Sequence, residues 1–233
     1  MKKSLFILFA IFTMNSCAEL QSVVDSLPQG GVLNTDIAMG LRQALDLGIE
    51  KQVTKLTKTD GFYKNDLVKI LLPAELQKVD KGLRDIGLSS LADEGLKVLN
   101  RAAEDAVKEA TPIFVNAVKE ITFADARNIL MGTDDAATQY LTSKTQTSLY
   151  DKFHPVINNS FTKVGADKVW ENLINRYNAI PFTNDVNPNL TDYVTQEALK
   201  GVYTMISVEE KEIRNKVGAR TTDLLRRVFA LQD

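Results

Sequence analysis

The chain has 233 residues, 28 of them basic and 30 acidic, a formal net charge of −2 and 44% apolar residues. That balance excludes wholesale disorder, offers no basic surface to a nucleic acid and gives no polybasic help at a membrane. One cysteine (Cys17) and one histidine (His154) leave no disulfide framework and no zinc site of the Cys/His type.

The first element in chain order has the layout of a bacterial secretory signal. Lys2 and Lys3 form its charged region, and Leu5 to Phe12 an apolar run too short to span a bilayer. Met14-Asn15-Ser16-Cys17 follows and resembles the lipobox at which lipoprotein signal peptidase cuts after the thiol is acylated. Met14 stands where leucine is usual, and Asn15 is a looser match. The alternative is an ordinary signal with an incidental cysteine. The resemblance implies a signal peptide over residues 1–16 and a mature chain beginning at lipidated Cys17, tied to a membrane of the cell envelope. Ala18, rather than aspartate, after the cysteine implies the outer membrane, facing the periplasm. Loss of Lys2 and Lys3 leaves 26 basic residues against 30 acidic, a charge of −4. The acyl chains therefore supply the anchoring, at about 0.8 kcal/mol per buried methylene.

Residues 17–33 form a tether, because Pro28-Gln29-Gly30-Gly31 cannot continue a helix. As a flexible coil it spans about 20–24 Å. Leu20, Val23, Val24 and Leu27 suit one amphipathic turn lying on the membrane.

Residues 34–233 are expected to form a single all-α domain, an irregular multi-helix bundle of about eight to ten helices. Ile37, Leu41, Leu45, Ile49, Val53 and Leu56 recur at helical spacing behind an Asn34 or Thr35 cap. Gly61 to Asp66 is a loop, and Val68 to Leu72 is the only β-like run. Pro73 opens a second helix through Leu76, Val79 and Leu83, stopped at Gly87. Ser90 opens a third, which Pro112 must kink or break. Thr122 and Asp125 form a capping box for a short helix ending at Gly132. Thr133-Asp134-Asp135 opens the next. Leu149, Phe153, Ile157, Phe161 and Val164 mark a further helix up to Gly165, and Val169 to Tyr177 another. Residues 182–190 form a loop and the best subdomain boundary. Val194 to Ile206 line a long helix, Ser207 to Glu210 are expected to cap a new one, and Thr222 caps the last.

Complete catalytic motifs are missing. Asp151 and His154 echo the acidic-x-x-His pairs of di-iron bundles, but a second histidine does not exist. No nucleotide-binding glycine loop and no Gly-x-Ser-x-Gly elbow occur. Asp185 to Asn189 opens like a calcium loop, yet positions six and twelve hold Leu190 and Gln196 instead of Gly and Glu. No metal and no cofactor is implied. The remaining candidates are Asp134 and Asp135 as an acid/base or cation pair, His154, and Arg220 with Asp223. Each has a plain structural alternative: helix caps for Asp134, Asp135, Arg220 and Asp223, and a half-buried ring bonding a carbonyl freed by Pro155 for His154. Glu209 to Glu212 is expected to be a solvated face.

Four stretches carry a further resemblance: Thr133 to Tyr140, Asp192 to Thr195 with Ala198-Leu199, Glu209-Glu210 with Ile213-Arg214, and Arg220 to Leu225. In this order they resemble an uncharacterised bacterial lipoprotein family, domain-of-unknown-function family 4197, over about residues 36–230. The resemblance implies an exported, all-helical protein and assigns no substrate or catalytic residue. The function expected is a non-enzymatic envelope module that binds a protein or an apolar ligand, or else a purely structural spacer. The competing expectation is a hydrolase or metal-dependent enzyme built on the acidic and polar helix starts. It requires at least three of Asp134, Asp135, His154, Arg220 and Asp223 to meet in one pocket.

Overall fold

The computed structural model describes residues 32–85, 87, 89–168, 171, 175, 178 and 189–233. The signal, Cys17, most of the helix expected around Trp170 and most of the 182–190 loop lie outside the described residues. Asn34–Asp233 is one compact unit. Its helices are α1 (Asn34–Leu56), α2 (Ala74–Asp85), α3 (Ser89–Val107), α4 (Ala110–Lys119), α5 (Phe123–Leu130), α6 (Ala136–Val164), α7 (Leu190–Asn215) and α8 (Asp223–Phe229). Two 3-10 turns, Val217–Ala219 and Ala230–Gln232, flank α8. Among the described residues there is no strand. The architecture is an all-α multi-helix bundle.

The two longest helices form its spine. Thr138 of α6 meets Glu210 of α7, Thr145 meets Tyr203, and Tyr150 meets Asp192. The rising and falling residue numbers make the pair antiparallel. α1 lies against α7 with its whole predicted stripe, from Ile37 to Leu56, buried. Gly40 admits Val228 of α8, whose Cγ2 would lie 2.7 Å from a β-carbon there. The core between these elements is filled by Phe62, Phe114, Phe153 and Phe161, each no more than 2% exposed.

Four expectations need correction. The separate helices expected at Thr133 and Leu149 are one helix of 29 residues, α6. Its polar middle stays helical, with the Thr142 and Thr145 hydroxyls donating back to the carbonyls of Thr138 and Leu141. Pro155 sits inside this helix and Val164, expected on its apolar face, is 62% exposed. Ser207 starts nothing: α7 runs unbroken through it to Asn215. Glu209 and Glu210 are buried rather than solvated, only Lys211 of that run being fully exposed. The stripe of Val202, Ile206 and Ile213 continues through them at helical spacing, so phase outweighs their charge.

Elsewhere local rules hold. Thr122 accepts from the Asp125 amide while Asp125 accepts from the Thr122 amide, the expected capping box. Pro112 falls in the first turn of α4, so the break lies before it, at Lys108-Glu109. Gly165 ends α6 with φ of 67°, a left-handed conformation that glycine adopts without a β-carbon clash.

Candidate functional site

A buried ion pair sits at one end of the bundle, where α6 begins and α7 ends. Glu210 accepts from the backbone amides of Ala137 (2.9 Å) and Thr138 (2.8 Å), and from the Thr138 hydroxyl (2.8 Å). It is thus the N-terminal cap of α6, supplied from another helix. Asp135, the local residue at the cap position, makes no side-chain bond to those amides. Arg214, one turn on, holds Glu210 at 2.9 Å and donates its other bonds to the carbonyls of Ile129 and Leu130 at the end of α5. Both side chains are almost inaccessible, at 3% for Arg214 and 6% for Glu210. Arg220 closes the end of α7 by donating to the carbonyls of Ile213 and Arg214, and its outer edge pairs with Asp233. That pairing holds the Asp233 carboxyl below the usual carboxylate range. Glu209 faces α1 instead, accepting from Lys51 and Gln52 at 2.7 Å each.

The chemistry of this junction is helix termination. Three helix ends meet there, each bringing backbone groups without intrahelical partners, and buried groups of that kind must be bonded. One carboxylate and two guanidiniums bond them. The cavity beside them, among Leu45, Ile206, Glu210 and Arg214, measures about 20 Å³, room for one water and no substrate.

The structure places the sequence candidates apart. Asp134 is exposed at the start of α6. Asp135 accepts from the Thr133 hydroxyl and the Gln139 amide, bonds that lower its pKa. His154 is half-buried against the Tyr150 ring, with centroids 5.5 Å apart. It stands about 28 Å along α6 from Asp135, at 1.5 Å per residue. Arg220 is buried in the junction. Asp223 is 90% exposed and pairs only with Arg226, in the first turn that Thr222 caps through the Leu225 amide. None of the five lines a cavity described here, and no three of them share one. Among the described residues no group of three or more His, Cys, Asp or Glu side chains could hold a metal ion.

A ligand-sized concavity lies outside the bundle. It is a groove of about 600 Å³ between residues 67–77 and the middle of α7. The segment on its rim alternates: Val68, Ile70 and Leu72 are buried, while Leu67 and Leu71 are 62% and 53% exposed. Asn100 holds that segment as a second strand would. Its amide accepts from the Ile70 N–H (2.8 Å) and donates to the Ile70 carbonyl (2.9 Å). Tyr193 donates to the Leu71 carbonyl across the groove at 2.8 Å. Gly201 floors it, and a β-carbon there would lie 2.7 Å from the Phe62 ring. The loop behind is tied down by Glu104, which accepts from the Phe62 amide and pairs with Arg101, itself paired with Asp60.

Sequence reasoning missed Glu210, Arg214 and Asn100. The signal for the first two was their phase on the α7 stripe. Asn100 carried none, since its partner is a backbone thirty residues away.

A family model described as "Protein of unknown function (DUF4197)" matches residues 31–230. No curated protein and no solved structure matches the chain. Three of the four stretches that carried the resemblance supply the junction: Thr138 from the first, Glu210 and Arg214 from the third, Arg220 from the fourth. The second supplies Tyr193 to the groove.

Proposed function

We propose that this chain, which belongs to the DUF4197 family, is an envelope lipoprotein anchored at Cys17 whose helical body binds a protein partner without catalysing a reaction. The anchor is supported by the lipobox-like Met14-Asn15-Ser16-Cys17 behind a short apolar run. It would hold the body at the outer membrane, facing the periplasm. Among the described residues no helix is long and apolar enough to cross a membrane.

One observation carries the binding reading. Glu210, Arg214 and Arg220 bond helix ends, beside a void of about 20 Å³, whereas the open groove is about 600 Å³. An acyl chain or small apolar ligand has no room in the first. The second falls within the range of specific ligand sites, roughly 300–1,000 Å³. Its exposed Leu67 and Leu71, beside Glu197 and Lys200, suit an extended peptide with apolar side chains and mixed charge. An enzyme reading requires convergent acid, base or metal-binding groups, and the groove's Glu197 and Lys200 are a rim pair bonded to each other.

A photo-crosslinking residue placed at Leu71 in living cells tests this. The expected result is a discrete crosslinked partner from Leu71 and Lys200, and none from Lys119, which is exposed on α4 outside the groove. Equal, diffuse crosslinking from all three positions would contradict it.

A further inference from the structure

The groove does not end at Leu67. That side chain, 62% exposed, also lines a second concavity of about 470 Å³, formed by the end of α1 and the loop after it, from Lys55 to Asp66. The two concavities meet along Leu67, and their chemistry differs. The paired charges of Glu197 and Lys200 give way, past Leu67, to lysines in excess. Lys55, Lys58 and Lys64 stand there against Asp60 and Asp66. With Lys69, Lys200 and Glu197 of the groove, the joint rim carries five lysines and three carboxylates. That is a local charge of +2 on a chain whose formal net charge is −2.

Two of these lysines have no carboxylate of their own. Lys64 pairs with Asp60 at 2.8 Å, and Asp60 also pairs with Arg101. Lys55 and Lys58 are exposed, and no carboxylate among the described residues pairs with either. With Asp60 spent, Asp66 alone opposes them on this side. The α1 dipole accounts for Lys55, which lies in its last turn, but that field fades within the turn and Lys58 stands beyond it. The loop that presents them is fixed in advance. Asp60 holds a φ of 68°, the only positive φ outside glycine among the described residues, and its two ion pairs fasten it there. Phe62 is fully buried, its amide bonded to Glu104 at 3.1 Å. A partner meeting this surface has no loop to order, which lowers the cost of binding.

We infer that the protein segment taken by the groove is acidic beside its apolar residues. Its apolar side chains lie on Leu67 and Leu71, and its carboxylates continue past Leu67 over Lys55 and Lys58. This rests on the groove as the binding site and names what the groove alone leaves open, the charge of the partner. Exposed pairs of this kind act chiefly on association rate and selectivity, and they weaken as salt rises.

The test measures the fluorescence anisotropy of labelled peptides with the full-length protein isolated from cells. Three peptides share one leucine- and valine-rich centre and carry runs of glutamate, glutamine or lysine on both sides of it. The glutamate peptide is expected to bind about tenfold more tightly than the lysine peptide at low salt, with glutamine between them, and the difference to shrink at about 0.5 M salt. Lys55→Glu/Lys58→Glu, a change at two exposed positions, should reverse the order, and Leu71→Asp should weaken all three peptides. Equal affinity for the three, still weakened by Leu71→Asp, overturns the acidic partner and leaves the groove standing. A glutamate preference that survives Lys55→Glu/Lys58→Glu, or glutamate binding untouched by Leu71→Asp, overturns the continuous surface. Phosphatidylglycerol vesicles that displace the glutamate peptide assign the lysines to a lipid headgroup instead. No binding of any peptide removes the groove reading itself.

Discussion

Glu210→Ala is expected to destabilise the fold by about 3–5 kcal/mol, the usual cost of removing one partner from a buried ion pair. Arg214 would keep its bonds to Ile129 and Leu130 but lose its counter-charge at 3% exposure. The buried amides of Ala137 and Thr138 would lose their acceptor as well. That second loss separates this site from an ordinary ion pair. Replacing both charges with apolar residues of similar volume often costs nothing. Here a Glu210→Leu/Arg214→Met double variant should remain destabilised, because orphaned backbone groups cost about 1–3 kcal/mol each. Guanidinium unfolding followed by far-UV circular dichroism reads both effects as a lowered midpoint with unchanged slope. A single-variant loss below about 1 kcal/mol would show that α6 does not depend on its borrowed cap.

The second large effect belongs to Asn100→Ala. Asn100 is fully buried, and its amide satisfies both the N–H and the carbonyl of Ile70, together with the Leu96 carbonyl. Truncation leaves two backbone groups of Ile70 without partners, at a cost of about 2–6 kcal/mol for the pair. The loss is local in its first consequence, since residues 67–73 rim the groove. Hydrogen exchange should find the Ile70 amide opening far below the global unfolding free energy. Partner crosslinking from Leu71 should fall with it. An Ile70 amide as protected as in the wild type would contradict the role given to Asn100.

Local signals were readable wherever a residue acts on its own neighbourhood. The α1 stripe, the Thr122 and Thr222 caps and the stop at Gly165 all depend on residues within one turn of each other, so spacing alone reveals them. The bundle class followed from the same periodicity. What was hidden are the bonds that cross the fold. Glu210 looks like a capping residue for its own helix, and it is a cap, but for α6, more than seventy residues earlier. Ser207 and Glu210 match a capping box in type and spacing, while the apolar phase of α7 overrides the match. Asp135 sits at the cap position of α6 and turns its carboxylate to Thr133 and Gln139 instead. The β-like run at Val68 to Leu72 is short for a strand, and strands pair with strands. Here one asparagine amide stands in for the partner. The same physics scatters the enzyme candidates: polar residues at helix starts answer to backbone amides first, and chemistry needs them to answer to each other.

The proposed lipidation of Cys17 is the central claim, since the proposed compartment and anchor both depend on it. Intact-mass and peptide analysis of protein recovered from membranes should find a mature N-terminus at Cys17 carrying acyl mass, and a Cys17→Ala variant should yield no such species. An N-terminal peptide containing an unmodified Cys17 thiol would contradict it.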